Sequence, residues 1–466
     1  MRKICTLLFI FLVVFSNANS QENIIGDWNG ALSLGGQQLS LIFHFEKVGA
    51  TYSGSLDSPD QKAFGIKADE VVYENGKLAV TILKIGLSYN GVLVDTTISG
   101  EFAQGYFKAP LQLSRRKVEK KVVIKPQEPQ APFPYLEEEI VFHHINANFD
   151  MAGTLTLPKG EGVFPAILLI SGSGPQDRNE EILGHKPFLI IADYLTKKGY
   201  AVLRYDDRGT AKSGGKFEGA TSLDFASDAA SALAYLKTRK DIDATKIALT
   251  GHSEGAMLAA ILAASDPSIN AIIMLAGPGI PGDQLLLMQQ ELIATVNQVN
   301  PDEIKENTLI NSSLFDLIKQ SNDLESATIS VEKKLKKISK ALSKSDLEAY
   351  GGKAEYVTQN LRAYMNPWMY FFLRYKPAID LKKIKCNVLA LNGSKDLQVP
   401  SKENLAALDV AINNPGKVKQ IVELPNLNHL FQKCLTGNIT EYGEIQETIS
   451  PEVLEKINEF LTSCWN

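Results

Sequence analysis

The chain is predicted to fold as an α/β protein: a mostly parallel sheet with helices on both faces, interrupted by an all-helical insertion and preceded by a small all-β unit. Three observations carry this. From Pro165 onward, short apolar runs alternate with helix-like segments, which implies parallel strands joined by right-handed crossovers. The pentapeptide Gly251-His252-Ser253-Glu254-Gly255 lies between one such run, Lys246 to Thr250, and a run of helix formers, Ala256 to Leu262. Residues 23–115 instead alternate apolar and polar positions, with turn signals every 8 to 12 residues or so, as antiparallel strands do.

Bulk properties bound the rest. At 466 residues the chain is too long for one ordinary domain, and 44% hydrophobic with 22% charged residues is an ordinary globular composition. A formal net charge of -5 and a pI near 5.8 give no reason to expect a nucleic-acid partner or an anionic membrane surface. Arg2 and Lys3 precede the apolar run Ile4 to Phe15, and Ser16-Asn17-Ala18-Asn19-Ser20 follows. That is the make-up of a signal peptide at residues 1–20, cleaved near Ser20/Gln21. The apolar run is shorter than the ~20 residues of a membrane span. The expected mature protein is therefore exported, to the periplasm or beyond, with no membrane span. Cys5 lies outside any small-residue L-x-x-C box and would leave with the peptide, so Cys386, Cys434 and Cys464 remain. This is an odd number for an oxidising compartment. Cys434 and Cys464 share the C-terminal region, where one bridge between them is compatible with the sequence, and Cys386 is expected in a buried strand.

Within the β unit, Gln38 to Phe45, Asp69 to Tyr73 and Leu78 to Leu83 read as strands, with turns at Gly35-Gly36 and Glu74-Asn75-Gly76, so a small barrel or sandwich is expected. Gly26-Asp27-Trp28 resembles the G-x-W start of lipocalin-like barrels, where the Trp plugs one end. Trp28 as a simple core residue is the other reading. His44, in an alternating strand, is expected to be a surface or hydrogen-bonded residue. Residues 116–137 then carry a basic cluster and Pro126, Pro129, Pro132 and Pro134, a density that holds a chain extended and prevents packing, so a semi-rigid interdomain linker with a solvated basic cluster is expected.

Residues 138–466 hold the α/β pattern. Glu138 to Phe142 and Ala152 to Pro158 read as an antiparallel pair. Strands follow at Pro165 to Ile170, Tyr200 to Tyr205, Lys246 to Thr250 and Ala271 to Ala276, with helices at Pro187 to Lys198 and Ser222 to Lys237. From about 283 to 380 the period is helical and no strand is evident, which marks a cap over the carboxyl edge of the sheet, where open α/β folds bind ligands. Strand Cys386 to Leu391, helix Ser401 to Ile412, strand Val418 to Leu424 and a terminal helix from Pro451 complete the chain.

The chemistry is expected at that edge. In a strand-turn-helix setting, G-x-S-x-G is a nucleophile elbow: the sharp turn exposes Ser253, and the two glycines let strand and helix approach. A serine nucleophile needs a base and a group that orients it. Asp396 follows the strand ending at Leu391 and His429 follows the strand ending at Leu424, in the order Ser, Asp, His. His252 cannot be the base at its spacing, and the other four of six histidines precede the serine. The oxyanion needs two donors, expected from the backbone N–H of Glu254 and from the loop Ser171-Gly172-Ser173-Gly174, with Ser173 first and Gly174 as fallback. Asp177 and Arg178 are expected to pair and hold that loop. Asp206-Asp207-Arg208 is read as a structural ion-pair network. No G-K-[ST] follows the glycine-rich loop, and no metal-ligand spacing surrounds His143-His144, so neither a cofactor nor a metal is expected.

Together, Gly172 to Arg178, Tyr205 to Gly209, Gly251 to Gly255, Asn392 to Asp396 and Asn428-His429 resemble a bacterial family of carboxylesterases with the α/β-hydrolase fold, described as serine-aminopeptidase-like or related to dienelactone hydrolases. The resemblance runs from Glu138 to the C-terminus and implies Ser253, Asp396 and His429 as the triad. The oxyanion loop departs from the family's usual H-G by having Ser171 before Gly172. Short acyl esters are the substrates the resemblance implies. Trp368, Tyr370 and Phe371 in the cap either line an acyl pocket or pack the cap. A neutral small or medium ester is the expected small-molecule substrate. An exo-acting serine peptidase, or a secreted binding protein with an idle hydrolase domain, are the other readings.

Overall fold

The computed structural model describes residues 24–34, 37–59, 63–104, 107–117, 125–344, 347 and 350–465. Residues 1–20, with their expected signal peptide, and the turn at Gly35-Gly36 lie outside these. The chain divides into two compact units, one built on the first nine strands and the other on all later elements.

The first unit is a single sheet of β1 (Gly26–Leu34), β2 (Gln37–Val48), β3 (Thr51–Ser58), β4 (Ala63–Lys67), β5 (Glu70–Glu74), β6 (Lys77–Ile82), β7 (Leu87–Val94), β8 (Thr97–Gln104) and β9 (Phe107–Ser114), ordered β4-β3-β2-β1-β9-β8-β7-β6-β5. It curls until β3 meets β5, a near-barrel rather than a two-sheet sandwich. Leu87, Tyr89 and Leu93 of β7 point inward at every second position while Asn90, Val92 and Val94 are exposed. The β5–β6 turn needs positive φ, which Asn75 and Gly76 supply. Trp28 is core: its Nε1 donates to the Ile24 carbonyl at 2.7 Å, and the Arg115 guanidinium lies 4.1 Å from its ring centroid. His44 is satisfied between Asp27 and Asp57, at 2.8 and 3.0 Å.

The second unit has an eight-stranded sheet, ordered β10-β11-β13-β12-β14-β15-β16-β17. Its strands are β10 (Leu136–His143), β11 (Asp150–Leu157), β12 (Phe164–Ile170), β13 (Ala201–Tyr205), β14 (Ile242–His252), β15 (Ala271–Leu275), β16 (Asn387–Gly393) and β17 (Lys419–Leu424). β10 and β11 run antiparallel, as the sequence suggests, and β12 through β17 are parallel. Side chains of β12 alternate between two cores. Ala166, Leu168 and Ile170 belong to the core shared with α2 (Ser222–Thr238), α3 (Glu254–Ser265) and α10 (Ser401–Ala411), and Ile167 and Leu169 to the core shared with α1 (Pro187–Lys197) and α11 (Pro451–Trp465). The elbow strand starts at Ile242, four positions before the run that reveals it, because Ile242 still pairs with Phe164.

Between β15 and β16 stand the cap helices α4 (Gly282–Val296), α5 (Pro301–Gln320), α6 (Leu324–Ile338), α7 (Lys353–Tyr364), α8 (Pro367–Arg374) and α9 (Ala378–Leu381). They have a core of their own around Leu314, Phe315, Val331, Leu335 and Leu373. Among the described residues no helix is long and apolar enough to cross a membrane.

Three expectations are corrected. The proline-rich stretch packs from Lys125 onward, where packing was not expected: Lys125 is 4% exposed, and its Nζ donates to the carbonyls of Gly443 and Ile445 at 2.9 and 2.8 Å, while the basic cluster from residue 118 on lies outside the described residues. Prolines without N–H groups do not prevent a segment from docking through its other side chains. Arg178 pairs with Asp206 and Glu139, not with Asp177, whose carboxylate instead accepts the N–H groups of Asn179 and Glu181. Cys386, Cys434 and Cys464 are all free thiols. Cys386 is buried immediately before β16.

Candidate active site

The elbow takes its shape from local constraints. β14 ends at His252 and α3 begins at Glu254, leaving Ser253 at φ 52°, ψ −119°. A non-glycine residue there costs about 1–3 kcal/mol and persists only where its surroundings impose it. Ser253 N–H donates to the Leu275 carbonyl at 2.8 Å, which pins the turn to β15. A Cβ on Gly251 would lie 2.1 Å from the Gly255 carbonyl oxygen, and one on Gly255 would lie 2.1 Å from that of Ile170. Strand, loop and helix can meet here only through glycine.

Asp396 and His429 are brought together by the loops after β16 and β17. His429 Nδ1 lies 2.8 Å from Asp396 Oδ2, with both side chains buried. The other carboxylate oxygen, Oδ1, accepts the N–H groups of Gln398 and Val399, each at 2.8 Å. These bonds fix the carboxylate and leave Nδ1–H to be donated to it, so His429 Nε2 is the nitrogen able to accept a proton. The loops touch at Gly393, where a Cβ would meet the Leu427 carbonyl at 2.2 Å. Asn428 braces the loop that carries His429: its Oδ1 accepts from Leu430 and Gln432 N–H.

The loop after β12 lies against Ser253, since a Cβ on Gly172 would come 3.3 Å from Ser253 Cβ. Ser171 Oγ donates to Asp207 Oδ1 at 2.7 Å, and Gly172 N–H to Glu180 Oε1 at 2.7 Å. Gly172 is therefore committed elsewhere, and Ser173, exposed at the bend before Gly174 at φ 98°, is the next N–H along the loop. Glu254 is the first residue of α3, where a helix has no intrahelical acceptor for its N–H.

Three buried carboxylates complete the surroundings: Glu254 and Glu180, whose side chains sequence reading passed over, and Asp207, which it placed in the ion-pair network but which bonds to Ser171 and Gln176 instead. The Glu254 carboxylate, assigned no part beside its own N–H, is buried and accepts from Ser222 Oγ at 2.5 Å and from the indole of Trp368 at 2.8 Å. Burial raises its pKa, against the effect of those two bonds. Glu180 is buried at φ 51° and reaches both Gly172 and His252. Asp207 is pushed up to about 8 by burial, against its bonds to Ser171 and Gln176. No periodicity or motif marks these carboxylates as internal. Asp206 and Arg208, in contrast, form the ion pairs expected of them, with Arg178 and Asp228.

The three cap aromatics divide between two places. Trp368 faces the elbow through Glu254 and stacks on Phe372, with centroids 5.0 Å apart. Tyr370 and Phe371 line a largely apolar cavity of about 540 Å³ with Thr221, Leu223, Pro367 and Ile379. Ser253, Asp396 and His429 are not among its lining residues.

Fold and site together define the class, an α/β-hydrolase-superfamily protein with a helical cap and an N-terminal near-barrel domain. Residues 121–422, more than half of the chain, match the family described as X-Pro dipeptidyl-peptidase (S15 family), and the chain belongs to that family. The match includes Ser253 and Asp396 and stops short of His429. The chain is 30% identical over 282 residues to the esterase EstD of Thermotoga maritima, a match covering 60% of this chain and 58% of that protein's length. Among solved structures it is similar to Est1E from Butyrivibrio proteoclasticus with ferulic acid bound, at 18% identity and TM-score 0.41, over 70% of this chain and 98% of that one. The Pyrococcus furiosus esterase Pf2001 is similar at 15% identity and TM-score 0.42, over 75% of this chain and 100% of that one.

Proposed function

We propose that the protein is an exported serine esterase that cleaves neutral small or medium carboxylic esters through an acyl-enzyme. The observation that carries this reading is the 2.8 Å contact of His429 Nδ1 with the buried Asp396 carboxylate, beside a serine held at a strained elbow. In this reading His429 Nε2 takes the Ser253 hydroxyl proton as Oγ attacks the ester carbonyl. The N–H groups of Glu254 and Ser173 receive the oxyanion. Collapse expels the alcohol, which leaves with the proton held by His429, and water then hydrolyses the acyl-serine by the same route.

Family membership favours a second reading, an exo-acting peptidase, which would need an anionic group to receive a free amine. Glu254 is the carboxylate next to the nucleophile, and its bonds to Ser222 and Trp368 support the ester reading over that one. The test is turnover of p-nitrophenyl acetate and butyrate against aminoacyl and prolyl p-nitroanilides, with Ser253→Ala as control. Ester cleavage lost in the variant is the expected result. Anilide cleavage alone would favour the peptidase, and no turnover of either would favour a binding role. Export rests on the N-terminal sequence pattern, and N-terminal sequencing of the protein recovered outside the cytoplasm should begin at Gln21.

A further inference from the structure

Glu180, His252 and His429 form a continuous chain of hydrogen bonds linking the elbow to the loops on either side of it. His252 Nε2 lies 3.0 Å from the His429 backbone carbonyl, and Nδ1 lies 3.0 Å from Glu180 Oε1. The same Oε1 accepts the Gly172 N–H at 2.7 Å. A carbonyl oxygen only accepts, so Nε2 must carry a hydrogen. In a neutral ring Nδ1 would then be a bare lone pair facing a carboxylate oxygen, two acceptors at hydrogen-bonding distance. Placing a second proton on Nδ1 removes that conflict, and the short bond from Gly172 is that expected of a charged acceptor.

The surroundings favour such a pair. Glu180 is 3% exposed and His252 8%, and they share the lining of a small cavity with the apolar side chains of Phe188, Ile191, Leu275 and Phe431. Charges interact more strongly in such an environment than in solvent. The charges acting on the ring are acidic, Glu180 after β12 and Asp396 after β16, while His429 after β17 presents its backbone carbonyl and Asp207 interacts with Glu180 from the loop after β13. Burial pulls the His252 imidazole down, but the Glu180 charge, its hydrogen bond and the His429 carbonyl outweigh it, and the net shift is upward. The left-handed backbone at Glu180 is a cost the loop bears in aiming this carboxylate.

We propose that His252 is a doubly protonated positioning residue which, with Glu180, holds the oxyanion loop at Gly172 and the base loop at His429 in register around Ser253. The proposal rests on the reading of Ser253 and His429 as nucleophile and base, and His252 itself exchanges no proton with substrate. When His252 loses its proton at high pH, Nδ1 meets Glu180 lone pair to lone pair, and the two loops lose their common anchor.

The test combines two readouts on the full chain. Ring-nitrogen NMR, with the His252 signal assigned from its disappearance in His252→Gln, should find both nitrogens protonated at neutral pH in the wild type and in Ser253→Ala. A singly protonated ring in the wild type would overturn the proposal without any variant having to fold. In Glu180→Gln, kcat on p-nitrophenyl acetate should fall about tenfold to a hundredfold with KM little changed, as for a displaced catalytic group. The alkaline limb of its pH profile should move down by about one pH unit, because the imidazolium has lost its counter-charge. A Glu180→Gln profile that superimposes on the wild type after scaling would also overturn it. If the wild-type enzyme cleaves no ester, the esterase reading falls, while the NMR result still decides the state of His252.

Discussion

Trp368 Nε1 donates to Glu254 Oε1 at 2.8 Å, so cap helix α8 is hydrogen-bonded to the first residue of elbow helix α3. The carboxylate is buried, with Ser222 as its other donor. Trp368→Phe keeps an aromatic ring but removes the five-membered ring with its donor, and should cost at least about 1–3 kcal/mol in urea unfolding, the usual penalty for stripping a partner from a buried polar group. The sign with pH follows from the raised pKa of Glu254. A carboxyl whose folded value lies above its unfolded one contributes fully below the unfolded value, and that contribution is lost as pH rises through the folded one. Without the indole the charged form is held less well, so the deficit of the variant should shrink at acid pH. A deficit equal at all pH values would count against this account.

Asp396→Asn tests the proposed orientation of His429 by Asp396. The amide keeps the volume but cannot hold His429 Nδ1–H as a carboxylate does, so kcat on p-nitrophenyl esters should fall by about four orders of magnitude. Circular dichroism should be unchanged. An active Asp396→Asn enzyme would remove Asp396 from the site.

Glycine substitutions separate the elbow from the acid–base loops. Gly251→Ala places a Cβ 2.1 Å from the Gly255 carbonyl oxygen, and Gly393→Ala one 2.2 Å from that of Leu427. Each should destabilise the protein by about 3–5 kcal/mol, the range of severe steric lesions, seen as a lowered denaturation midpoint. Wild-type stability in Gly251→Ala would mean that the elbow is looser than described.

Two buried groups should give stability opposite slopes with pH. His185 donates from Nε2 to the Tyr442 carbonyl and accepts at Nδ1 from Thr448; burial first, and then the charge of Lys125, pushes its pKa down to about 4. Its folded value lies below the unfolded one, so the unfolded chain takes up the proton first. Stability is therefore complete above the ordinary imidazole range of ~6.5 and is lost as pH falls toward about 4. His185→Gln should flatten that acid limb in urea unfolding, and an unchanged limb would remove His185 as its cause.

Asp207 has the other sign, being pushed up to about 8. Its contribution is present below the unfolded carboxylate value of ~3.9 and declines as pH rises through about 8. Asp207→Asn should gain stability relative to the wild type across that window. A variant that loses ground as pH rises would mean that Asp207 is ionised in the folded protein.

The parts legible in the chain are those encoded by near neighbours. The elbow is a strand-like run, two glycines and a helix-forming run within about twenty residues, and the structure has Ser253 at that turn. Asp396 and His429 could be found because each follows a short apolar strand, and parallel strands deliver the loops after them to one edge. Glu180 carries no such signal. It lies in a loop without periodicity, and its partners are 8 and 72 residues away. Trp368 was visible as an aromatic of the cap, but not its bond to Glu254, 114 residues back.

The order of strands and helices, an all-β unit ahead of them, the cap, and a serine, an acid and a histidine each just beyond a strand were all legible in the chain. Backbone periodicity and turn chemistry act over a few residues, so they can be read in one dimension. Only the tertiary structure decided that Arg178 turns to Asp206 and Glu139, that Lys125 is buried, that the three thiols stay apart, and that His252 stands between Glu180 and the His429 carbonyl. A buried polar group takes whichever partner packing brings within reach, because leaving it unpaired costs more than most single contacts contribute, and that partner is set by the meeting of distant loops.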